Sequence, residues 1–226
     1  QLTRQIRMQP AIKMALRMAR QSSDYLRTQF ERSDLGNPRE DATLKLISHL
    51  ERAVYDSCVE QLQRAYRDHY IAPAGDIHGE GHEQSWHVFP LLGDGNFARG
   101  LPDFAIALLQ KQRNRAEHLV LISPMSHEEY TVSRGYGASL NGRRIRASEV
   151  KAPHQASVAT DLFARCRQSS DPLVWGELAA TIGQHTAGVR VAGCAALDLA
   201  RVACGRLDAA ILTAPSLADT SMGLLL

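Results

Sequence analysis

The 226-residue chain is long enough to bury a substantial core, and its 44% hydrophobic and 22% charged content is that of a soluble globular protein. A formal charge of +2 is too small to imply a nucleic-acid partner by itself. No apolar run approaches the roughly 18–20 residues of a membrane span, and the basic N-terminal stretch has no apolar region after it to make a secretory signal.

Met8, Ile12, Ala15, Leu16, Ala19 and Leu26 recur at the helical period over residues 8–31, with Pro10 suited to a first turn. Arg4, Arg7, Lys13, Arg17 and Arg20 give this helix a basic side; a solvated face is the plainer explanation and a polyanion-binding strip the alternative. Gly36-Asn37-Pro38 breaks the chain. Leu46, Leu50, Ala53, Val54, Cys58, Leu62 and Tyr66 then mark a second helix over residues 43–67, antiparallel to the first. Residues 69–72 read as a short strand closed by Pro73-Ala74-Gly75, and 76–85 as a polar loop.

From 86 to 148 the pattern changes to short strands at 86–89, 104–109, 118–122, 129–133, 138–141 and 143–146. Asn141-Gly142 between the last two is a strong hairpin signal, so the region reads as an antiparallel meander. Residues 149–171 are weakly patterned. A helix (173–186), a strand (189–191), a small-residue helix (195–204) ended by Gly205, a strand (207–212) and the start of a further helix (219–225) follow. The chain thus reads as one α+β domain: a helix pair (8–67), an antiparallel sheet (69–148) and an α/β region (149–226). Its apolar end, Leu224-Leu225-Leu226, predicts that the domain continues or that a partner covers it. Cys58, Cys166, Cys194 and Cys204 are scattered without ligand spacing and read as buried free thiols in a reducing cytoplasm.

The meander is organised around residues 86–104. A strand (Val88, Phe89) enters the turn Gly93-Asp94-Gly95-Asn96, and a second apolar run returns from Phe104. Strands that end in such turns often present carboxylates to metal or phosphate, but here the places for them are apolar. Trp86, Val88, Pro90, Leu91, Gly93, Asn96 and Phe97, followed by Gly100-Leu101-Pro102 and Phe104-Ala105, fit the pattern W-x-[IV]-D-P-[LI]-D-G-T-T-N-F and G-[LV]-P-x-F-A. Ser133-Arg134-Gly135, Gly137-Ala138 and Leu140-Asn141-Gly142-Arg143-Arg144-Ile145 fit S-R-G-x-G-A-x-L-N-G-R-R-I. Gly193, Ala195-Ala196-Leu197-Asp198-Leu199-Ala200, Ala203 and Gly205-Arg206-Leu207-Asp208 fit G-x-A-A-L-D-L-A-x-V-A-x-G-R-L-D. In these stretches the chain resembles the inositol monophosphatase family, most closely its bacterial extragenic-suppressor (SuhB-like) branch.

The resemblance implies a layered αβαβα sandwich and hydrolysis of a phosphate monoester by Mg²⁺ ions held on carboxylates. Position by position, the donors are mostly gone. The two aspartates of the core pattern are Phe89 and Leu92, the threonine after Gly93 is Asp94, and Gly95 follows. The family's G-E-E becomes Pro73-Ala74-Gly75, so Ala74 stands at a ligand position. Its substrate-binding glutamate is Leu212, whereas Glu51 and Asp219 keep carboxylates at the T-x-x-D and W-D positions. Glu80, in Gly79-Glu80-Gly81, is a displaced alternative to the lost G-E-E.

Other chemistry is thin. His78-x-x-x-His82 needs a helix to pair on a metal, and its glycines argue against one; His49, His69 and His87 complete the histidines of the first half. Ser48-His49 and Glu83-Gln84-Ser85 lack a nucleophile elbow. Arg143, Arg144 and Arg146 form a basic hairpin edge, read as solvated charge with nucleic-acid or protein docking as the alternative. Asp198 reads as structural or site-bordering.

The expectation is therefore a catalytically silent, cytoplasmic protein that acts by binding and needs no cofactor; the resemblance implies a homodimer, with transcription machinery (antitermination) or an active paralogue as partner. The alternative is a residual Mg²⁺-dependent phosphatase on inositol phosphate or a similar small monoester, with Glu51, Asp94 and Asp219 as its ligands.

Overall fold

In α1 (Pro10–Arg32), Pro10 occupies the first turn, and Ile12, Ala15, Leu16, Met18, Ala19, Ser22, Ser23 and Leu26 form one buried stripe. In α2 (Asp41–Ala65) the stripe is Thr43, Ile47, Leu50, Val54, Cys58 and Leu62. Both stripes press on one face of a seven-stranded sheet, where Trp86, Val88, Ile106, Leu108, Val120 and Ile122 meet them. These coordinates are a computed structural model that describes residues 9–33, 35, 39–78, 81–163, 170–213 and 216–226. Arg4, Arg7, Met8, Gly36-Asn37-Pro38, Gly79, Glu80 and Cys166 lie outside the described residues.

The sheet runs in chain order: β1 (Tyr70–Ile71), β2 (Gln84–Leu92), β3 (Ala105–Gln112), β4 (Arg115–Ser123), β5 (Glu128–Ser133), β6 (Gly137–Leu140) and β7 (Arg143–Arg144). From β2 onward it is the antiparallel meander expected. β1 instead pairs parallel to β2. Asn141 and Gly142 turn the β6–β7 hairpin with φ of 50° and 76°, the left-handed pair that a tight two-residue turn demands. Side chains alternate strictly, so Phe89, Ala105, Ala107, Leu109, Leu119, Leu121, Tyr130 and Val132 face the other side.

That second face is covered by α5 (Ala195–Ala203) and α6 (Leu217–Gly223), through Ala196, Leu197, Ala200, Ala218 and Met222. Beyond α5 lies a parallel three-stranded sheet ordered β10 (Ala209–Ile211), β8 (Ser157–Thr160), β9 (Gly188–Arg190). α4 (Pro172–His185) rests against β9. The order of layers is helix, sheet, helix, sheet, helix, as expected.

Four sequence readings are corrected. The stretch read as weakly patterned contains β8, the central strand of the second sheet; four residues, Ser-Val-Ala-Thr, are too few to show a period. β2 begins at Gln84, inside the supposed loop, and continues through Pro90 to Leu92 by a register shift between Phe89 and Leu92. That shift is where a proline, lacking its N–H, fits inside a sheet. The last helix starts two residues early, because Ser216 and Asp219 cap it reciprocally. Cys58 and Cys194 are buried free thiols, but Cys204 is only half-buried. Among the described residues no helix is long and apolar enough to cross a membrane.

Candidate functional site

The turn after β2 is shaped by sterics and amide hydrogen bonds. Gly93 has φ of +81°, and a Cβ there would lie 2.7 Å from the Asp103 carbonyl and 3.3 Å from the Cys194 Cβ. Only glycine meets both demands. The chain then closes a single helical turn, α3 (Asp94–Phe97), in which the N–H groups of Asn96 and Phe97 donate to the Gly93 carbonyl. The Asn96 side-chain amide donates to the carbonyls of Asp103 (2.7 Å) and Ala192 (2.8 Å), tying the turn to the segment that enters α5. Phe97 is buried against Phe30 and Phe104, with ring centroids 5.0–5.4 Å apart.

Where the family pattern calls for carboxylates, the turn is hydrocarbon. Phe89 is 4% exposed and belongs to the apolar cluster with Ala107, Cys194, Ala218 and Met222, and Leu92 packs against the same cluster. Leu225 and Leu226 also pack there. The Cys194 thiol is pushed up to about 12, by burial first, with the Asp198 and Asp219 carboxylates adding to it. It is an inert core group rather than a nucleophile.

The three retained carboxylates are differently placed. Glu51 on α2 faces Asp94, and burial together with that neighbour raises the Glu51 carboxyl above its ordinary range. Glu51 lines an open cleft of about 440 Å³ with Arg52, Tyr55, Asp56 and Ala74. Ala74 brings only a methyl group to that wall. The Tyr55 hydroxyl donates to the Ala72 carbonyl and fixes the near rim. Asp219 is engaged elsewhere: its Oδ2 accepts from the Ser216 N–H (3.1 Å) and hydroxyl (2.7 Å) at the start of α6. Leu212 follows β10, half-buried. Glu51, Asp94 and Ala74 are thus brought to one edge, Phe89 and Leu92 go into the core, and Asp219 caps α6 through Oδ2 while lying close enough to Cys194 to act on its thiol.

This donor set does not fit a pair of Mg²⁺ ions. Such ions need about six oxygens each, and two-metal sites share carboxylates at roughly 3.5–4 Å spacing. Among the described residues no three Asp, Glu, His or Cys side chains gather as a metal site requires. Replacing Glu51 by glutamine is expected to raise the melting temperature slightly at pH 7. The folded-state carboxyl titrates above its ordinary value, so its ionised form costs stability above the ordinary carboxylate range. The gain should vanish as the pH falls below about 4.3, which paired melts of the two proteins would record.

One ionic feature escaped the sequence reading. Arg201 on α5 donates to Asp103 Oδ1 (2.5 Å) and to Asp198 Oδ1 (3.3 Å), clamping the loop after α3 onto the helix. Burial raises the Asp198 carboxyl, and Arg201 pulls it back down. Both Asp103 and Arg201 occupy positions that the family patterns leave open, so no motif marks them.

The family model for inositol monophosphatases matches residues 7–220. The chain belongs to the inositol monophosphatase family. Among curated relatives, the Nus factor SuhB of Pseudomonas aeruginosa is 38% identical over 206 residues, covering 89% of this chain and 76% of that protein. The Nus factor SuhB of Escherichia coli is 29% identical over 203 residues, covering 89% and 75%. Among solved structures, the extragenic suppressor protein suhB of Bartonella henselae superposes with a TM-score of 0.76 at 23% identity, over 96% of this chain and 83% of that one. The Thermotoga maritima IMPase gives a TM-score of 0.78 at 22% identity, over 96% and 81%. The inositol monophosphatase sandwich is therefore the fold of this chain, and its SuhB-like character rests on the sequence relatives.

Proposed function

We propose that this SuhB-like chain has lost most Mg²⁺ ligands of the inositol monophosphatase family, is catalytically silent, and works as a binding protein of the transcription machinery. The observation that carries this reading is the replacement of the core-turn carboxylates by Phe89, buried in the second core cluster, and Leu92, packed against it. An apolar cluster offers a divalent ion nothing in exchange for its hydration shell. The Nus-factor designation of the sequence relatives supports transcription as the setting, with an active paralogue as the other partner class. The family resemblance also supports a cytoplasmic homodimer.

Three measurements test the reading. A ligand that binds only the folded state must raise its stability, so the melting temperature should not move with millimolar Mg²⁺ or Mn²⁺. Inositol 1-phosphate should not be hydrolysed under the same conditions, while purified Nus factors and RNA polymerase should retain the immobilised chain. Metal-dependent stabilisation together with hydrolysis abolished by Asp219→Asn would instead establish a residual phosphatase built on Glu51, Asp94 and Asp219.

A further inference from the structure

On the core side of the sheet, next to the candidate site, two basic side chains are buried. His87 on β2 is fully buried, and Lys111 on β3 is 6% exposed. Lys111 lies directly across from Ser85, two residues before His87 and on its face. Both groups hold the same short segment of chain. His87 Nδ1 lies 2.9 Å from the Asp76 carbonyl oxygen, and Lys111 Nζ donates to the Ile77 carbonyl at 2.6 Å. The Ile77 side chain is itself buried in the second core cluster. Within the segment, the Asp76 N–H donates to the Pro73 carbonyl and the His78 N–H to Asp76 Oδ1. Residues 73–78 are thus a flap pinned at its C-terminal end, and Ala74 near its start forms part of the cleft wall beside Glu51.

The hydrogen bonds of the closed flap place one proton on His87. A carbonyl oxygen only accepts, so His87 Nδ1 carries it. In the neutral ring Nε2, 2.9 Å from Ser85 Oγ, accepts the serine hydroxyl. Adding a proton at Nε2 removes that acceptor and leaves the buried Ser85 hydroxyl to find another. It also sets a second positive charge beside the Lys111 ammonium. The charged and titratable groups facing His87 are Lys111 from β3 and Asp76 and His78 from the flap. Asp76 is the one carboxylate among them, and it already accepts the His78 N–H.

We propose that residues 73–78 form a proton-operated latch, shut while His87 is neutral and released when His87 is protonated. Burial lowers the affinity of His87 for a proton most; the Asp76 carbonyl pulls the other way, Lys111 lowers it again, and the Asp76 carboxylate and His78 add smaller, opposed effects. Lifting the flap hydrates both basic groups and returns His87 to an ordinary value near 6.5. Protons therefore favour the lifted state, and the latch is fully shut above about pH 6.5 and loosens below it. The inference is independent of whether the chain hydrolyses phosphate esters.

Hydrogen exchange on the whole chain at pH 7.5 and pH 5.0, corrected for intrinsic rates, tests it. Protection over residues 73–78 should fall at the lower pH, by at most about thirtyfold, the ceiling set by an open-state imidazole near 6.5. Protection in α1 and β4 should hold. In His87→Gln, whose amide supplies a donor and an acceptor without titrating, the fall should disappear. Should that variant fold poorly, ¹⁵N-histidine spectra of the unmodified chain should show His87 still neutral and protonated at Nδ1 below about pH 6.5, where an ordinary imidazole charges. Unchanged protection of 73–78, an equal fall across the sheet, an equal fall in His87→Gln, or His87 charging at the ordinary imidazole value would overturn the latch.

Discussion

A chain carrying Phe89→Asp, Leu92→Asp and Ala74→Glu is expected to melt well below its parent without divalent ions and to recover part of that loss in millimolar Mg²⁺. Removing a buried phenylalanine ring costs about 3–5 kcal/mol, and placing a carboxylate in the vacated core adds a desolvation penalty unless a cation meets it. Phe89 sits in the cluster with Cys194 and Met222, so the full cost falls on the triple variant in metal-free buffer. With Mg²⁺ present, a carboxylate at 74 joins Glu51 and Asp94 at the edge, and those at 89 and 92 supply oxygens from the core side of the turn. The binding energy then offsets the penalty by mass action. Calorimetry with and without Mg²⁺, with Phe89→Asp alone as the control that only loses stability, makes the comparison. A triple variant as indifferent to Mg²⁺ as its parent would show that something other than the side chains of this turn keeps metals out.

Arg201→Met should cost about 3–5 kcal/mol in denaturant melts at neutral pH, the usual result of removing one member of a buried ionic group. Most of the loss is assigned to Asp198, whose side chain is 3% exposed, because Asp103 at 27% can turn toward water. Two signatures separate this from lost packing. Adding Asp198→Asn to Arg201→Met should restore much of the stability, since the orphaned charge is gone. The loss should also shrink as the pH falls, because without Arg201 the Asp198 carboxyl rises further and takes up a proton in the folded state. A loss that is independent of pH and unrelieved by the second substitution would assign Arg201 to packing alone.

How much of this was legible beforehand follows the range over which each interaction acts. The helix pair and the meander were readable because one apolar face repeats at 3.6 or 2 residues, and Asn141-Gly142 announces its own turn. Glu51 and Asp94, far apart in sequence, are electrostatic neighbours once α2 packs beside the turn after β2. The parallel pairing of β1 was hidden because two residues carry no period, and only the crossover geometry decides their partner. Arg201 and Asp103 are 98 positions apart, and nothing local marks either residue for the other. His87 was grouped only with the other histidines of the first half and Lys111 carried no signal, whereas the folded chain buries both and bonds them to the Asp76 and Ile77 carbonyls. The occupation of Asp219 by Ser216 was also invisible, since a carboxylate in sequence looks the same whether it caps a helix or awaits a cation.

The crowding at Gly93 bears on how such chains change over time. With a carbonyl 2.7 Å from any added Cβ, that glycine is held by the shape of its surroundings and would stay in place under any substrate or none. Asn96, bonded to two carbonyls, is under the same constraint. The glycine and asparagine of the signature are therefore scaffolding, fixed by the shape of the turn. They report that the turn is made, not that it turns over a substrate; the discriminating positions are those that side-chain oxygen must fill.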